Sequence, residues 1–248
     1  MNRVYLADLP VDYLSLKTVS PRLIRLAESK RKKPYLVTYL NAHNFNLASK
    51  NNTYKEILKK ADLVYADGWG VVWAARLSGS QLPGRLTTKD FFEGFCRMAE
   101  KEKLSLFFLG GKEKVVNKMV KILKDKFPQI KIKGWQNGYF NGKEEKRISA
   151  RINQLSPDFL IVGMGSPTQE LWLAKNLSQL KIKVGWCVGG LFDFISEEKP
   201  RCPKWLGDLG FEWLFRLLTE PKRLWRRYLI GGPEFLSRVI RLKSRQAR

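Results

Sequence analysis

Asp67 is the residue of this sequence best placed to do chemistry. It stands in the stretch Ala61–Trp73, ADLVYADGWGVVW. There an apolar strand from Ala61 to Ala66 runs into the permissive Gly68, and a helical pattern follows from Val71. That spacing sets a carboxylate at the C-terminal end of a strand, facing the next helix. In open α/β sheets ligands bind at that edge. A carboxylate there is a candidate general base; the alternative is that it only caps the helix, as Asp often does.

Three other strand ends carry candidate groups. In Asp158–Glu170, DFLIVGMGSPTQE, an apolar strand ends in Gly163-x-Gly165 and Ser166-Pro167 opens a helix. Exposed N–H groups at a helix N-terminus, together with its dipole, suit a diphosphate. The run is not a full dinucleotide fingerprint, and no Walker pattern occurs, so an ordinary strand–helix turn is the competing reading. In Val188–Asp193, VGGLFD, Gly189 and Gly190 let a ligand approach the backbone. Asp193 could accept hydrogen bonds from a sugar hydroxyl, or be a satisfied buried carboxylate. In Asn41-Ala42-His43 the only histidine follows a strand end. A multi-histidine metal site is therefore impossible, and a lone histidine is more often packed or solvated than catalytic.

These groups need a sheet to hold them, and the chain supplies one. Strand patterns at Val4–Leu6, Pro34–Leu40, Ala61–Ala66, Leu104–Leu109, Ile130–Lys133, Asp158–Val162 and Ile182–Val188 alternate with helical ones. The helices are expected from Ser20 (as N-cap), over Asn44–Lys60, from Thr88 (as cap) to Lys101, and over Lys112–Lys126, Lys143–Leu155 and Thr168–Leu177. The alternation predicts an α/β, Rossmann-like fold: a largely parallel sheet with helices on both faces. From Pro200 it stops and Arg, Trp and Leu take over, so residues 1–199 read as the core and 200–248 as a C-terminal helical appendage.

The 248 residues are 44% apolar, enough for a full core. With 46 Lys+Arg against 23 Asp+Glu the net charge is +23. Such a surface seeks polyanions: nucleic acid, anionic lipid or phosphorylated substrates. Cys96, Cys187 and Cys202 lie far apart, as reduced cytosolic thiols do, and make neither a disulfide framework nor a zinc motif. The N-terminal MNRVYLADLP lacks the apolar stretch of a signal peptide. The most apolar run, Val184–Ile195, is too short and too interrupted to span a bilayer.

The appendage suits a membrane surface better than a spanning role. Phe211, Leu214, Leu217 and Leu218 recur at helical spacing, as do Leu224, Trp225, Tyr228 and Leu229 beyond Pro221. From Pro221 onward nine Lys+Arg face the single acid Glu234. Basic amphipathic helices bearing Trp and Tyr bind anionic lipid, whereas a helical hairpin with a solvated basic face is the plainer alternative. The expectation is a cytoplasmic protein held peripherally on the cytoplasmic face of the cell membrane; a homo-oligomer is compatible with it.

Four runs together resemble the WecG/TagA/CpsF family of bacterial glycosyltransferases. They are ADLVYADGWGVV, the segment from Arg85 to Asp90, PDFLIVGMGSPTQE, and the long run from Val188 to Ile230. The last is the most specific, through its order of K-W, G-x-E-W, R-L, E-P and R-L-W-x-R-Y. The resemblance implies a Rossmann-like core with a membrane-targeting appendage. It implies transfer of an N-acetylmannosamine-type sugar from a UDP donor to an undecaprenyl-diphosphate-linked N-acetylglucosamine, with inversion and with no metal or other cofactor. It assigns Asp67 as the base, with Asn41, Arg85 and Gln169 beside it. Asp90, Gly163, Gly165, Gly189, Gly190 and Asp193 become substrate-binding candidates, and Arg216, Arg223 and Arg226 hold the lipid diphosphate. One departure stands out. The family often has Thr-x-Asn at the first strand end, where this chain has Tyr39-Leu40-Asn41, and Thr38 belongs to the opposite strand face. Direct displacement at an anomeric carbon needs a base on the acceptor hydroxyl and charge relief on the leaving diphosphate. Asp67 offers the first, and arginines with helix N–H groups the second. No D-x-D pair sits where a nucleotide-sugar metal site would want one. The competing classes are a basic nucleic-acid-binding module, which lacks any RRM, KH or zinc signature, and a nucleotide-dependent oxidoreductase, weakened by the incomplete glycine fingerprint.

Overall fold

The computed structural model describes residues 3–246. The chain opens with a two-stranded antiparallel hairpin, β1 (Arg3–Leu6) and β2 (Leu9–Asp12). The second of these strands was not anticipated. Its run LPVD is short and holds a proline, yet all four residues are buried. The hairpin covers an otherwise open sheet edge. Asp12 takes the Arg3 guanidinium (2.7 Å) and accepts the backbone N–H of Val64 (2.7 Å), while Arg3 also donates to the Asp62 carbonyl (2.6 Å).

The main sheet is α/β and parallel throughout. Its strands are β3 (Tyr35–Leu40), β4 (Leu63–Ala66), β5 (Ser105–Gly110), β6 (Lys131–Gln136), β7 (Phe159–Gly163) and β8 (Val184–Cys187), in the order β4-β3-β8-β7-β5-β6. Period-two alternation sorts the strand side chains to two cores. Val37, Tyr65, Phe108, Ile161 and Trp186 face α1 (Val19–Glu28), α5 (Thr88–Lys101), α6 (Glu113–Lys126) and α9 (Leu191–Ile195). Leu40, Val64, Leu109, Val162 and Cys187 face α2 (Ala42–Lys50), α3 (Asn52–Lys60), α4 (Trp69–Leu77), α7 (Gly142–Leu155) and α8 (Thr168–Asn176). Strands buried on both faces must be apolar throughout, and runs such as LFFL and FLIV are.

Two expected caps resolve differently. Helix α1 starts at Val19, and Ser20 is buried with its hydroxyl donating to the Phe91 carbonyl (3.3 Å), which ties α1 to α5. Thr88 is the first residue of α5, and its hydroxyl bonds the Tyr65 phenol (2.6 Å). In both cases a tertiary partner takes the hydroxyl that a cap would have used.

The appendage is a chain of helices: α10 (Lys204–Asp208), α11 (Glu212–Thr219), α12 (Pro221–Trp225) and α13 (Gly231–Gln246). Between the last two, Arg226–Ile230 forms a widened helical turn. This segment is not loosely attached. Leu224, Phe235 and Val239 are buried, and the Phe235 ring meets Phe45 of α2 edge-on at 5.3 Å. Its outward apolar residues stay in solvent, among them Trp205, Leu218, Trp225, Leu229 and Ile240. Among the described residues no helix is long and apolar enough to cross a membrane.

Candidate active site

The C-terminal ends of β3, β4, β5, β7 and β8 open into a polar cavity of about 970 Å³. A second cavity of about 450 Å³, mostly apolar, lies between α4 and the appendage. The two share a short stretch of wall formed by Asn41, His43, Asp67, Thr87, Glu212, Arg216 and Arg227. Asp67 therefore stands at the junction of a polar compartment and an apolar one.

Asp67 does not cap α4. The N-cap position is Gly68, at φ +92°, which has no side chain to bond the helix N-terminus. The carboxylate instead accepts a hydrogen bond from the Asn41 side chain at 3.1 Å. Asn41 is held in turn, because its carbonyl oxygen accepts the Asn44 N–H (2.9 Å) as the N-cap of α2. Burial raises the Asp67 pKa above the ordinary carboxylate value, with Glu212 adding to the effect; the Asn41 hydrogen bond and the charges of Arg216 and Arg227 oppose it. A carboxylate so tuned is a better proton acceptor near neutral pH than an exposed one.

Arg216 and Arg227 supply the positive potential. Each is half-buried and lines both cavities. Among the described residues neither makes a hydrogen bond or ion pair with a carboxylate, and the Arg216 Nε is buried without a partner. Each lies over an aromatic ring, Arg216 over Phe194 (5.5 Å) and Arg227 over Tyr228 (5.8 Å). Burial, then the neighbouring Arg216, lowers the Arg227 pKa. Burial opposes the Arg216 charge, but Tyr228, Glu212 and Asp67 outweigh it and raise that pKa. Two neighbouring guanidiniums without a carboxylate hydrogen bond suit an anion that joins them.

The other expected site residues divide by position. Gly163, Gly165, Gly189, Gly190, Asp193 and Arg223 line the polar cavity. Gly189 sits at φ +59°, and a Cβ there would lie 2.5 Å from the Tyr39 hydroxyl, so the space glycine leaves is taken by Tyr39. Asp193 is paired with Lys199 (2.8 Å), and Arg223 grips Glu220 through two 2.7 Å bonds. Gln169 lies behind the wall. It is fully buried, and its side-chain oxygen accepts the Gly189 N–H at 2.9 Å, which fixes the glycine turn. Arg85 lines the apolar cavity but is occupied by Thr87 (2.8 Å), Asp90 (3.0 Å) and the appendage residue Asp208 (3.2 Å). With Lys89, which donates to Glu212 at 2.7 Å, it clasps the appendage to the core. Asp90 serves that clasp and lines neither cavity. Arg226 also lines neither; it lies over the Trp225 ring at 5.2 Å.

Several wall residues escaped the sequence reading of roles. Arg227, not Arg226, turns inward. Both neighbour Arg223 at helical spacing, so only the widened turn that begins at Arg226 distinguishes them. Tyr39 lines the polar cavity while Thr38 faces the other way, its hydroxyl donating to Glu170 (3.1 Å), as the strand alternation requires. His43 lines both cavities, and burial, followed by Arg227, pushes its pKa down to about 4. It is therefore neutral at physiological pH. Among the described residues no three His, Cys, Asp or Glu side chains converge as a metal site would need.

The model of the family described as "Glycosyl transferase WecG/TagA/CpsF family" matches residues 4–248. Two curated relatives are similar over most of their length. One, from Bacillus spizizenii (strain ATCC 23059 / NRRL B-14472 / W23), is 31% identical over 201 residues, 81% of this chain and 77% of the relative. The other, from Bacillus subtilis (strain 168), is 32% identical over 196 residues, 78% of this chain and 74% of the relative. Both are named N-acetylglucosaminyldiphosphoundecaprenol N-acetyl-beta-D-mannosaminyltransferase.

Proposed function

The chain belongs to the WecG/TagA/CpsF family of glycosyl transferases, and from that premise we propose that it moves an N-acetylmannosamine-type sugar from UDP to a polyprenyl-diphosphate-linked N-acetylglucosamine, with inversion. Membership in a family of sugar transferases does not favour the nucleic-acid or oxidoreductase alternatives. The observation that carries the finer reading is the position of Asp67 and two unpaired guanidiniums between a polar and an apolar cavity. A reaction joining a water-soluble nucleotide sugar to a lipid-borne acceptor needs that division.

In this reading the nucleotide sugar occupies the polar cavity, its diphosphate near the N-terminus of α8 and the Gly163–Gly165 turn. The acceptor enters from the appendage side. Asp67 takes the proton of the acceptor hydroxyl as its oxygen forms a bond to the anomeric carbon, and the bond to the UDP oxygen breaks on the opposite face. The electron pair leaves with UDP, whose charge Arg216 and Arg227 offset. Asn41 keeps the Asp67 carboxylate oriented. The outward apolar residues of the appendage, beside its arginines and lysines, support peripheral attachment to the cytoplasmic leaflet, where both substrates would meet.

The test is turnover of UDP-N-acetylmannosamine on a synthetic lipid-diphosphate acceptor, with UDP-N-acetylglucosamine as the comparison donor. A product with the opposite anomeric configuration to the donor is expected. Retention of configuration, or no preference between the donors, would overturn the reading. The same reaction is expected to keep its rate after exhaustive EDTA treatment, because arginine supplies the charge relief. A loss restored by Mg²⁺ or Mn²⁺ would contradict that account.

A further inference from the structure

The apolar cavity has no task in the chemistry at Asp67, yet it opens directly beside it. Its walls are Trp69, Trp73 and Leu77 of α4 and Phe235, Leu236 and Val239 of α13. The two indoles stack at 6.1 Å. Its floor is made of small residues: Ala42, Gly70 and Ala74. At about 450 Å³ it falls within the size range of small-molecule sites, about 300–1,000 Å³. Its two ends differ. The inner end carries Arg216, Arg227 and Asp67. The outer end is open, for Trp73, Leu77 and Leu236 line the cavity and are also about half exposed, at 49, 44 and 51%. One turn beyond Leu236, Ile240 continues the apolar strip outward on α13.

We propose that this channel binds the first isoprene units of the polyprenyl acceptor, the segment attached directly to its diphosphate; the inference rests on the acceptor assigned above. The charge order argues for this occupant. A polyprenyl diphosphate is an anion joined to a branched hydrocarbon, and the channel is an apolar trough that ends at Arg216 and Arg227, which line both cavities and so face the acceptor diphosphate from this side as they face the UDP from the other. A nucleotide base laid along Trp69, Trp73, Leu77, Phe235 and Val239 would leave its polar edge without partners, since Asn41, His43, Thr87 and Glu212 belong to the wall shared with the polar cavity. The open outer end lets the remaining chain continue into a bilayer. The channel thus sets acceptor register: a hydrocarbon held along α4 fixes how far the diphosphate, and the sugar beyond it, reaches toward Asp67. Because α13 forms one wall, the last helix is part of the binding site as well as of any membrane contact.

Soluble probes test this without a membrane and without turnover. Inorganic diphosphate, geranyl diphosphate and farnesyl diphosphate are titrated into the full-length protein, with calorimetry and total tryptophan emission, to which Trp69 and Trp73 contribute, as readouts. Farnesyl diphosphate is expected to bind at least about 30-fold tighter than inorganic diphosphate, with geranyl diphosphate between them. Gly70→Leu fills the channel from α4, where a Cβ meets only ordinary contacts, 3.5 Å to Phe235 and 3.6 Å to Ala42. Val239→Phe fills it from α13. Each is expected to abolish the gain from the isoprenoid while keeping the affinity for inorganic diphosphate. Equal affinity of the unmodified protein for all three probes overturns the proposal, whatever the variants do. So does a gain that survives both substitutions, which would place the hydrocarbon on the outer surface instead. Should the gain stand while no sugar is transferred to a polyprenyl acceptor, the reaction assigned above fails and the channel remains.

Discussion

Asp67→Asn is expected to lower turnover by about 10²–10⁴-fold while nucleotide affinity and thermal stability stay near those of the unmodified protein. Asparagine keeps the size of the side chain and can still offer a carbonyl oxygen to the Asn41 amide, which now bonds the carboxylate at 3.1 Å. What it loses is the ability to accept a proton. The pH profile gives a second, independent reading of the same group. A base works only when deprotonated, so kcat/KM falls as pH drops through its pKa. Burial raises that pKa, with Glu212 assisting, so the acid limb is expected above the ordinary carboxylate range. Arg216 and Arg227 hold it down, so removing either charge should move the limb further toward neutrality. Near-normal turnover of a folded Asp67→Asn protein, or an acid limb that ignores both arginines, would remove Asp67 from the role of base.

Arg227→Ala is expected to cost about 10²–10³-fold in turnover, whereas Arg226→Ala should stay within about threefold. The two residues are adjacent and chemically identical, so the comparison isolates position. Arg227 lines both cavities and has no carboxylate partner among the described residues; Arg226 lies outside them over Trp225. Arg227→Lys should recover only part of the loss, because an ammonium keeps the charge but not the planar fork that grips a diphosphate. Removing one of two crowded cations relieves repulsion in the empty protein. The Arg227→Ala protein should therefore melt no lower than the unmodified one even as it loses activity. Equal losses at both positions would mean that the appendage arginines act only as a diffuse positive surface.

The sequence determined a good deal by itself. Apolar runs such as LFFL and FLIV, separated by helices of 3.6-residue periodicity, leave a chain little choice but a parallel sheet buried on both faces. The strand-end position of Asp67 followed from ADLVYADG, because a short strand and a permissive glycine locate the sheet edge without any tertiary knowledge. Strand alternation likewise assigned Thr38 and Tyr39 to opposite faces. Other features were out of reach for local reasoning. The strand LPVD is stabilised by what it covers, since Asp12 satisfies an N–H of β4 fifty-two residues away. Gln169 and Arg85 carry chemistry-bearing side chains, but distant partners decide their use: the Gly189 N–H claims one, and the acids of the appendage claim the other. The choice between Arg226 and Arg227 turned on one widened turn, and helical spacing allows either to stand beside Arg223. Most consequential is α13. It falls in a stretch read only as part of a basic helical appendage, yet Phe235 and Val239 complete a core and a cavity wall begun by α2 and α4 more than 150 residues earlier. Periodicity reports that a helix has an apolar face; only the packed chain reports what that face is shared with.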